Sequence, residues 1–247
     1  KARQYRYLRI GPFPFHITEE NKREILRLLN QHNFGIYSHG SPRLIDIQTK
    51  LCNLIEKWLQ MEISNASRWS VILWDGSLTA GTSDSPVNVM AHILKEARKR
   101  FNSVLAFSKV TNLRLFGRRI TDLILKYKPP FLFGVDSLPI SASNLIHFLG
   151  EVYVAKLTDG FCSFRLDIDR KLPSVEKIKA VQKVLGNDLV FQSYPESLRL
   201  AHIYSTFTAN EVIGIQRYIA RKYQLQIIPR PRVRKMLFGP YGTGLDD

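Results

Sequence analysis

The 247-residue chain suits one large α/β domain or two small ones, and its 45% hydrophobic content supplies a sizeable core. No run of about 18 apolar residues occurs, which argues against a membrane span. Lys and Arg number 36 against 21 Asp and Glu, a net charge of +15 with an isoelectric point near 9.9. The expected partner is therefore a polyanion, nucleic acid ahead of an anionic membrane surface or an acidic protein.

The chain opens KARQYRYLRIG, without an initiator Met or a signal-peptide core, so the natural N-terminus is expected upstream of Lys1. Residues 5–10 alternate as a strand and stop at Gly11-Pro12. Thr18, Glu20 and Asn21 open a helical pattern over 19–33, with Ile25, Leu28 and Leu29 on one face. A second helix is expected over 43–63, where Ile47, Leu51, Leu54, Ile55, Trp58 and Leu59 make a broad apolar stripe. An apolar strand then ends at Asp75, followed by the small polar loop LTAGTSDSP and a helix from Pro86 to about residue 101. SVLAFS at 103–108 is another strand, ending in Lys109, and 120–127 reads as helical.

Residues 152–157 and 163–168 form an expected hairpin around Thr158-Asp159-Gly160, a strong turn signal. A helix over 173–185, a short strand at 189–191 and helices over 198–207 and 209–223 complete the pattern. Strands and helices intermix, so the class is α/β. Residues 1–228 read as a single domain and 229–247 as a basic arm. Cys52 and Cys162 form no CxxC pair and no metal-ligand spacing, and read as reduced core cysteines of a cytoplasmic protein.

Much of the positive charge is clustered, in KEARKR at 95–100, RLFGRR at 114–119 and IPRPRVRK at 228–235. Each cluster alone reads as a solvated helix face or a tail. Together, with few acids nearby, they read as a surface that tracks phosphates.

The common catalytic templates are missing: no GxxxxGK[ST], no GxSxG and no HExxH occurs. What remains is a set of carboxylates on elements able to converge. Asp75 either turns the chain through Asp-Gly or is a reactive group held at the end of a rigid strand. Glu56 lies 75 − 56 = 19 residues upstream, far enough for its helix to fold back beside that strand; as a lone residue it reads equally as an exposed helix position. Asp167 ends the FRLDI strand, as a metal ligand or as the partner of Arg165 or Arg170. Acids at strand ends in a basic protein suit hard oxygen ligation of Mg²⁺ or Mn²⁺, ions that activate water and neutralise charge at a phosphodiester. In SYPESLRLAH, Tyr194 and His202 lie 202 − 194 = 8 residues apart. His202 reads as a group that orients a phosphate or moves a proton, or as a structural His bonded to a carbonyl.

ILWDGSL, FSKVTNLR, VYVAKL with FRLDI, and SYPESLRLAHIYS, in this order, resemble the NurA nucleases over roughly residues 5 to 215. The resemblance implies an RNase H-like core with a mixed central sheet flanked by helices, a helical C-terminal region and DNA end-processing in repair. It implies Mn²⁺ or Mg²⁺, a homodimer and a HerA-type hexameric translocase as partner. Asp75 and Glu56 then match metal-binding acids, joined by Asp167, and Tyr194 and His202 match the C-terminal active-site pair. Lys109 faces phosphate, with Arg114, Arg118, Arg119, Arg230 and Arg232 along the nucleic acid. The family also carries an earlier Asp-Gly-Ser. Here the nearest form is SHGS, with His39 at the Asp position. Either that Asp lies upstream of Lys1, which we take as the expectation, or the protein is a non-cutting DNA-binding or assembly relative. RNA-directed nuclease machinery, which shares the same core, is a third and weaker class.

Overall fold

In the computed structural model, residues 5–13, 15–35, 41–82, 84–115, 117–135 and 146–225 are described. Helix α1 (Lys22–Gln31) is shorter than the 19–33 pattern because Thr18 and Asn21 close a turn ahead of it. The Thr18 N–H meets Asn21 Oδ1 at 2.9 Å, and the Asn21 N–H meets Thr18 Oγ1 at 3.3 Å. Helix α2 (Leu44–Ala66) packs on α1 through Leu29, Phe34, Ile47 and Leu51. Its expected stripe is only partly buried, and Trp58 is 49% exposed. Cys52, expected in the core, is exposed: it follows Leu51 by one residue, a rotation of about 100° away from the packed face.

Strand β1 (Val71–Asp75) leads through β2 (Thr79–Ala80) into α3 (Val87–Lys99) and then β3 (Ser103–Ser108). Two short strands, β4 (Arg114–Leu115) and β5 (Arg118–Arg119), form a hairpin before β6 (Phe131–Gly134) and β7 (His147–Phe148). The helix expected over 120–127 is a single 3₁₀ stretch over Ile120–Ile124, cut short ahead of Pro129-Pro130. The expected hairpin is present as β8 (Gly150–Lys156) and β9 (Phe164–Asp169). Helix α4 (Ser174–Asn187), β10 (Val190–Phe191), β11 (Tyr194–Pro195), α5 (Glu196–Ser205) and α6 (Ala209–Tyr223) follow.

The molecule is mixed α/β, with a five-stranded sheet in the order β1-β3-β9-β8-β6. β1 and β3 run parallel, and the remaining pairs are antiparallel. α3 covers one face, where Met90, Ile93, Leu94 and Ala97 meet Ile72, Trp74, Val104 and Ala106. α4 covers the other, where Ala180, Val181 and Val184 meet Leu105, Phe107, Leu166 and Ile168. With helices on both faces, β3 is buried along its whole length, which is why SVLAFS reads as a continuous apolar run.

Residues 5–10 form no strand. Tyr7 and Leu8 stand 72% and 83% exposed, and the segment is tied down by the Tyr5 hydroxyl, which donates to Asp188 Oδ1 at 2.8 Å. Alternation alone makes no strand where no ladder partner is in reach. The chain divides into two compact units, Lys1–Ile203 and Tyr204–Asp247. The second contains α6, which begins with a capping box between Thr208 and Glu211 and buries none of its residues. Among the described residues no helix is long and apolar enough to cross a membrane.

Candidate active site

Asp75 is the last residue of the sheet's edge strand. The Gly76 N–H still bonds the Phe107 carbonyl at 2.9 Å, and Ser108 Oγ donates to the Gly76 carbonyl at 2.7 Å. Gly76 then turns the chain at φ +136°, a conformation open to glycine. The carboxylate is thereby fixed by sheet pairing up to its own residue, with its side chain 39% exposed. Lys109 Nζ lies 2.7 Å from Asp75 Oδ2, the Tyr194 hydroxyl 3.4 Å from Oδ1 and His202 Nδ1 3.6 Å from Oδ2. Four residues singled out in the sequence, from three separate segments, meet at one strand end.

Tyr194 is positioned by a two-residue turn. Gln192 and Ser193 both take positive φ, +51° and +67°, which turns β10 into β11. Ser193 is fully buried, and its hydroxyl accepts the N–H groups of Leu157 at 3.1 Å and Thr158 at 3.3 Å, docking this turn onto the β8–β9 connection. The Tyr194 ring sits edge-on to Phe164 at 5.2 Å and to Phe107 at 6.1 Å, with Lys109 Nζ 5.7 Å from its centroid. Burial, then the Asp75 charge and hydrogen bond, push the phenol well above its ordinary range, so Tyr194 acts as a donor and not as a base.

His202 rides on α5, whose first turn is capped by Asp188: the Ser197 N–H bonds both carboxylate oxygens, at 3.3 and 3.2 Å, and Ser197 Oγ bonds Oδ2 at 2.6 Å. Leu198, four residues before His202 on the same helix face, is buried among the α4 core residues and sets the helix rotation. A cleft of about 270 Å³ opens here, lined by Lys109, Phe164, Tyr194, Arg199, His202 and Ile203.

Asp75 also borders a second cleft of about 200 Å³, on the side of α2. Glu56 lines it, accepting from Gln60 Nε2 at 2.8 Å and Lys57 Nζ at 3.0 Å. Asp84 lines it too, paired with Lys50 at 2.6 Å and bonded to Asn53 Nδ2 at 3.0 Å. Ser77, Thr79 and Ser85 add hydroxyls, and the buried Gln60 Oε1 has no hydrogen-bond partner. The carboxylates and hydroxyls at this cleft are oxygen donors of the kind a hard divalent cation takes, and the ammonium groups of Lys57 and Lys50 now occupy Glu56 and Asp84. Among the described residues, no three His, Cys, Asp or Glu side chains gather closely enough to form a complete cation set. Asp84 and Gln60 were not singled out in the sequence. The signal was faint: one carboxylate in a loop of small hydroxyl residues, 84 − 75 = 9 positions beyond Asp75.

Asp167 does not join this group. The sheet register places Trp74, Ala106, Asp167 and Val152 in one row, and Asp75, Phe107 and Leu166 in the next. Adjacent rows face opposite sides of a sheet, so the two carboxylates point apart. Asp167 is fully buried and held by Arg165, through Nε and Nη2 at 2.6 Å each. Its Oδ2 also accepts the Leu78 N–H at 2.9 Å, while Arg165 Nη2 donates to Thr79 Oγ1 at 2.9 Å. A side chain at Gly150 would come within 2.9 Å of Asp167 Cβ and Leu78 Cβ, so glycine permits this close packing. The pair clamps the loop that follows Asp75.

No family model, curated protein or solved structure matches this chain. The site is accordingly read from its own geometry. In the hairpin that starts 114 − 109 = 5 residues after Lys109, Arg114 pairs directly with Arg119, and Arg114, Arg118 and Arg119 are all exposed. Like charges opposite each other in a ladder repel, and an anion between them relieves this. His39, Arg230 and Arg232 lie outside the described residues.

Proposed function

We propose that the chain is a metal-dependent nuclease of the NurA kind, built on an RNase H-like core and hydrolysing DNA phosphodiester bonds. The observation that carries the proposal is the meeting of Asp75, Lys109, Tyr194 and His202 at the end of β1. A five-stranded mixed sheet with a carboxylate at a strand end supports the RNase H-like part. The cleft shared by Asp75, Glu56 and Asp84, with hydroxyls of Ser77, Thr79 and Ser85, supports the metal, and the net charge of +15 supports DNA. A HerA-type translocase, a homodimer and a cytoplasmic location complete the proposal by resemblance.

In this scheme Lys109 and the exposed arginines hold phosphate oxygens. Tyr194, kept as a phenol, donates to Asp75 and fixes the carboxylate's orientation. His202 is the group placed to pass a proton to the oxygen that leaves phosphorus as the P–O bond breaks. Asp75 and Glu56 are the residues that would hold a Mn²⁺ or Mg²⁺ ion, which when bound would supply an activated water and charge neutralisation at the scissile phosphate. A cleavage assay in Mn²⁺ on labelled single-stranded and duplex ends tests the proposal. Asp75→Ala is expected to lose about 100-fold or more of the rate, and equal rates for variant and wild type defeat it.

One observation favours a second function, a non-cutting DNA-binding or assembly subunit: Lys109 at 2.7 Å already neutralises the Asp75 carboxylate. Salt-sensitive DNA binding with no Mn²⁺-dependent cleavage by the wild type is the result that selects it.

A further inference from the structure

At the end of the sheet away from Asp75, two bulky side chains occupy backbone positions that bulky residues rarely take. α3 finishes with the Phe101 N–H on the Arg98 carbonyl at 2.9 Å and the Asn102 N–H on the Ala97 carbonyl at 3.0 Å. This pair of bonds is the Schellman closure of a helix, whose left-handed residue is usually glycine. Here that residue is Phe101, at φ +59°, and Trp69, just ahead of β1, is left-handed too, at φ +57°. Neither aromatic is placed there to fill the core. Their rings stack with centroids 4.0 Å apart and planes 2° apart, while Trp69 stays 63% exposed and Phe101 54% exposed.

The two turns are rigidly joined beneath the rings. Asn102 is 1% exposed; its Oδ1 accepts the Ser70 N–H at 3.0 Å, and its Nδ2 donates to the Ser64 and Ser67 carbonyls at 3.1 and 2.9 Å. The Trp69 N–H bonds the Arg100 carbonyl at 3.1 Å, and the Ser103 N–H bonds the Ser70 carbonyl at 2.8 Å. The platform is thus preorganised. Exposed cations flank it in the chain, Arg68 beside Trp69 and Lys99 and Arg100 beside Phe101, with Lys95 one helical turn before Lys99. Glu96, the acid among them, is taken by Lys99 at 2.7 Å.

We infer that the Trp69–Phe101 pair is a stacking site for an unpaired base of single-stranded nucleic acid, whose neighbouring phosphates lie on Arg68, Lys99 and Arg100. Exposed planar rings ringed by cations match the two contacts that a single strand offers, a π-face and a charged backbone. The KEARKR cluster thereby acquires a ligand of its own. Trp69 lies six positions before Asp75, roughly 20 Å along the strand, so this is a second site and not a wall of the first. The inference rests on nucleic acid being the ligand proposed above, but not on cleavage.

The test is a titration of the full chain with a labelled 20-nucleotide oligo-dT in EDTA, read by anisotropy and by tryptophan fluorescence, beside a urea denaturation of each variant. Wild type is expected to bind with quenching of fluorescence. Phe101→Gly is expected to bind about 10-fold more weakly, with an unchanged or higher urea midpoint, because glycine takes φ +59° freely. Trp69→Leu, which keeps an apolar cover, is expected to lose both affinity and quenching. Equal affinity of Phe101→Gly and wild type overturns the inference while leaving the proposed nuclease intact. A fall in the urea midpoint of Phe101→Gly with no loss of affinity overturns it as well, making the ring structural. Self-association that Phe101→Gly abolishes, with oligonucleotide affinity unchanged, overturns it in favour of a protein contact. A wild type that binds no oligonucleotide in EDTA overturns this site and leaves the nuclease proposal standing, whereas full Mn²⁺-dependent activity of Asp75→Ala removes only the latter.

Discussion

Asp75 and Asp167 sit two strands apart and one step out of register, yet they live in different physical regimes. Asp167 lies in the α3-facing layer, without water, its charge matched by Arg165 and its lone pairs used by the Leu78 amide. Asp75 lies at the water's edge, with Lys109, Tyr194 and His202 around it and space on either side. The buried acid sets the position of the loop that follows β1, and the exposed one is placed by the pairing of β1 with β3. Solvent access, more than residue type, separates a structural carboxylate from one available to a ligand.

The comparison can be broken in three ways. The largest expected effect is on catalysis: Asp75→Ala removes about 100-fold or more of the Mn²⁺-dependent rate. Its urea midpoint should shift by no more than about 1 kcal/mol of stability, since an exposed ion pair contributes little. Asp167→Asn is expected to do the reverse first, costing about 3–5 kcal/mol in urea denaturation because the Arg165 guanidinium stays buried without its counter-charge. An Asp167→Asn protein as stable as wild type would show that the clamp is not what holds the loop.

The smallest effect concerns Tyr194. Its folded pKa is raised above the ordinary value of about 10, so the folded state favours the phenol. That contribution is complete below pH 10 and is lost as pH rises above it. Wild-type stability, followed by urea midpoints between pH 8 and 11, should fall at the alkaline end more steeply than that of Tyr194→Phe. Parallel curves would place the phenol in water. In the cleavage assay, Tyr194→Phe is expected to lose about 10-fold, the scale of one hydrogen bond, with no change in the shape of the pH profile below 9.

Elements with strong local signals were legible in the sequence. SVLAFS was readable because both-face burial leaves a continuous apolar run, SVILWD because its apolar residues are buried or partly buried up to Asp75, and the β8–β9 hairpin because Asp159-Gly160 marks its turn. The chemistry-bearing residues Asp75, Lys109, Tyr194 and His202 were also visible as types, and the fold brings them together. The sharing of faces was not legible. That Asp167 points away from Asp75 follows from the pairing of β3 with both β1 and β9, a long-range register that no local pattern encodes. Residues 5–10 misled for the same reason, since alternation says nothing about whether a partner strand exists. The end of α3 was legible to within two residues, but the turn that sets Tyr194 was hidden because Gln192 and Ser193 occupy positions where glycine is usual.

Asp75 and Tyr194 stand 119 positions apart in the chain, so their meeting requires a long loop to close. Closing so long a loop is slow compared with forming α3 or the β8–β9 hairpin, whose contacts are local. The basic clusters at 95–100 and 114–119 therefore precede, in the chain, the Tyr194 and His202 that complete the group around Asp75.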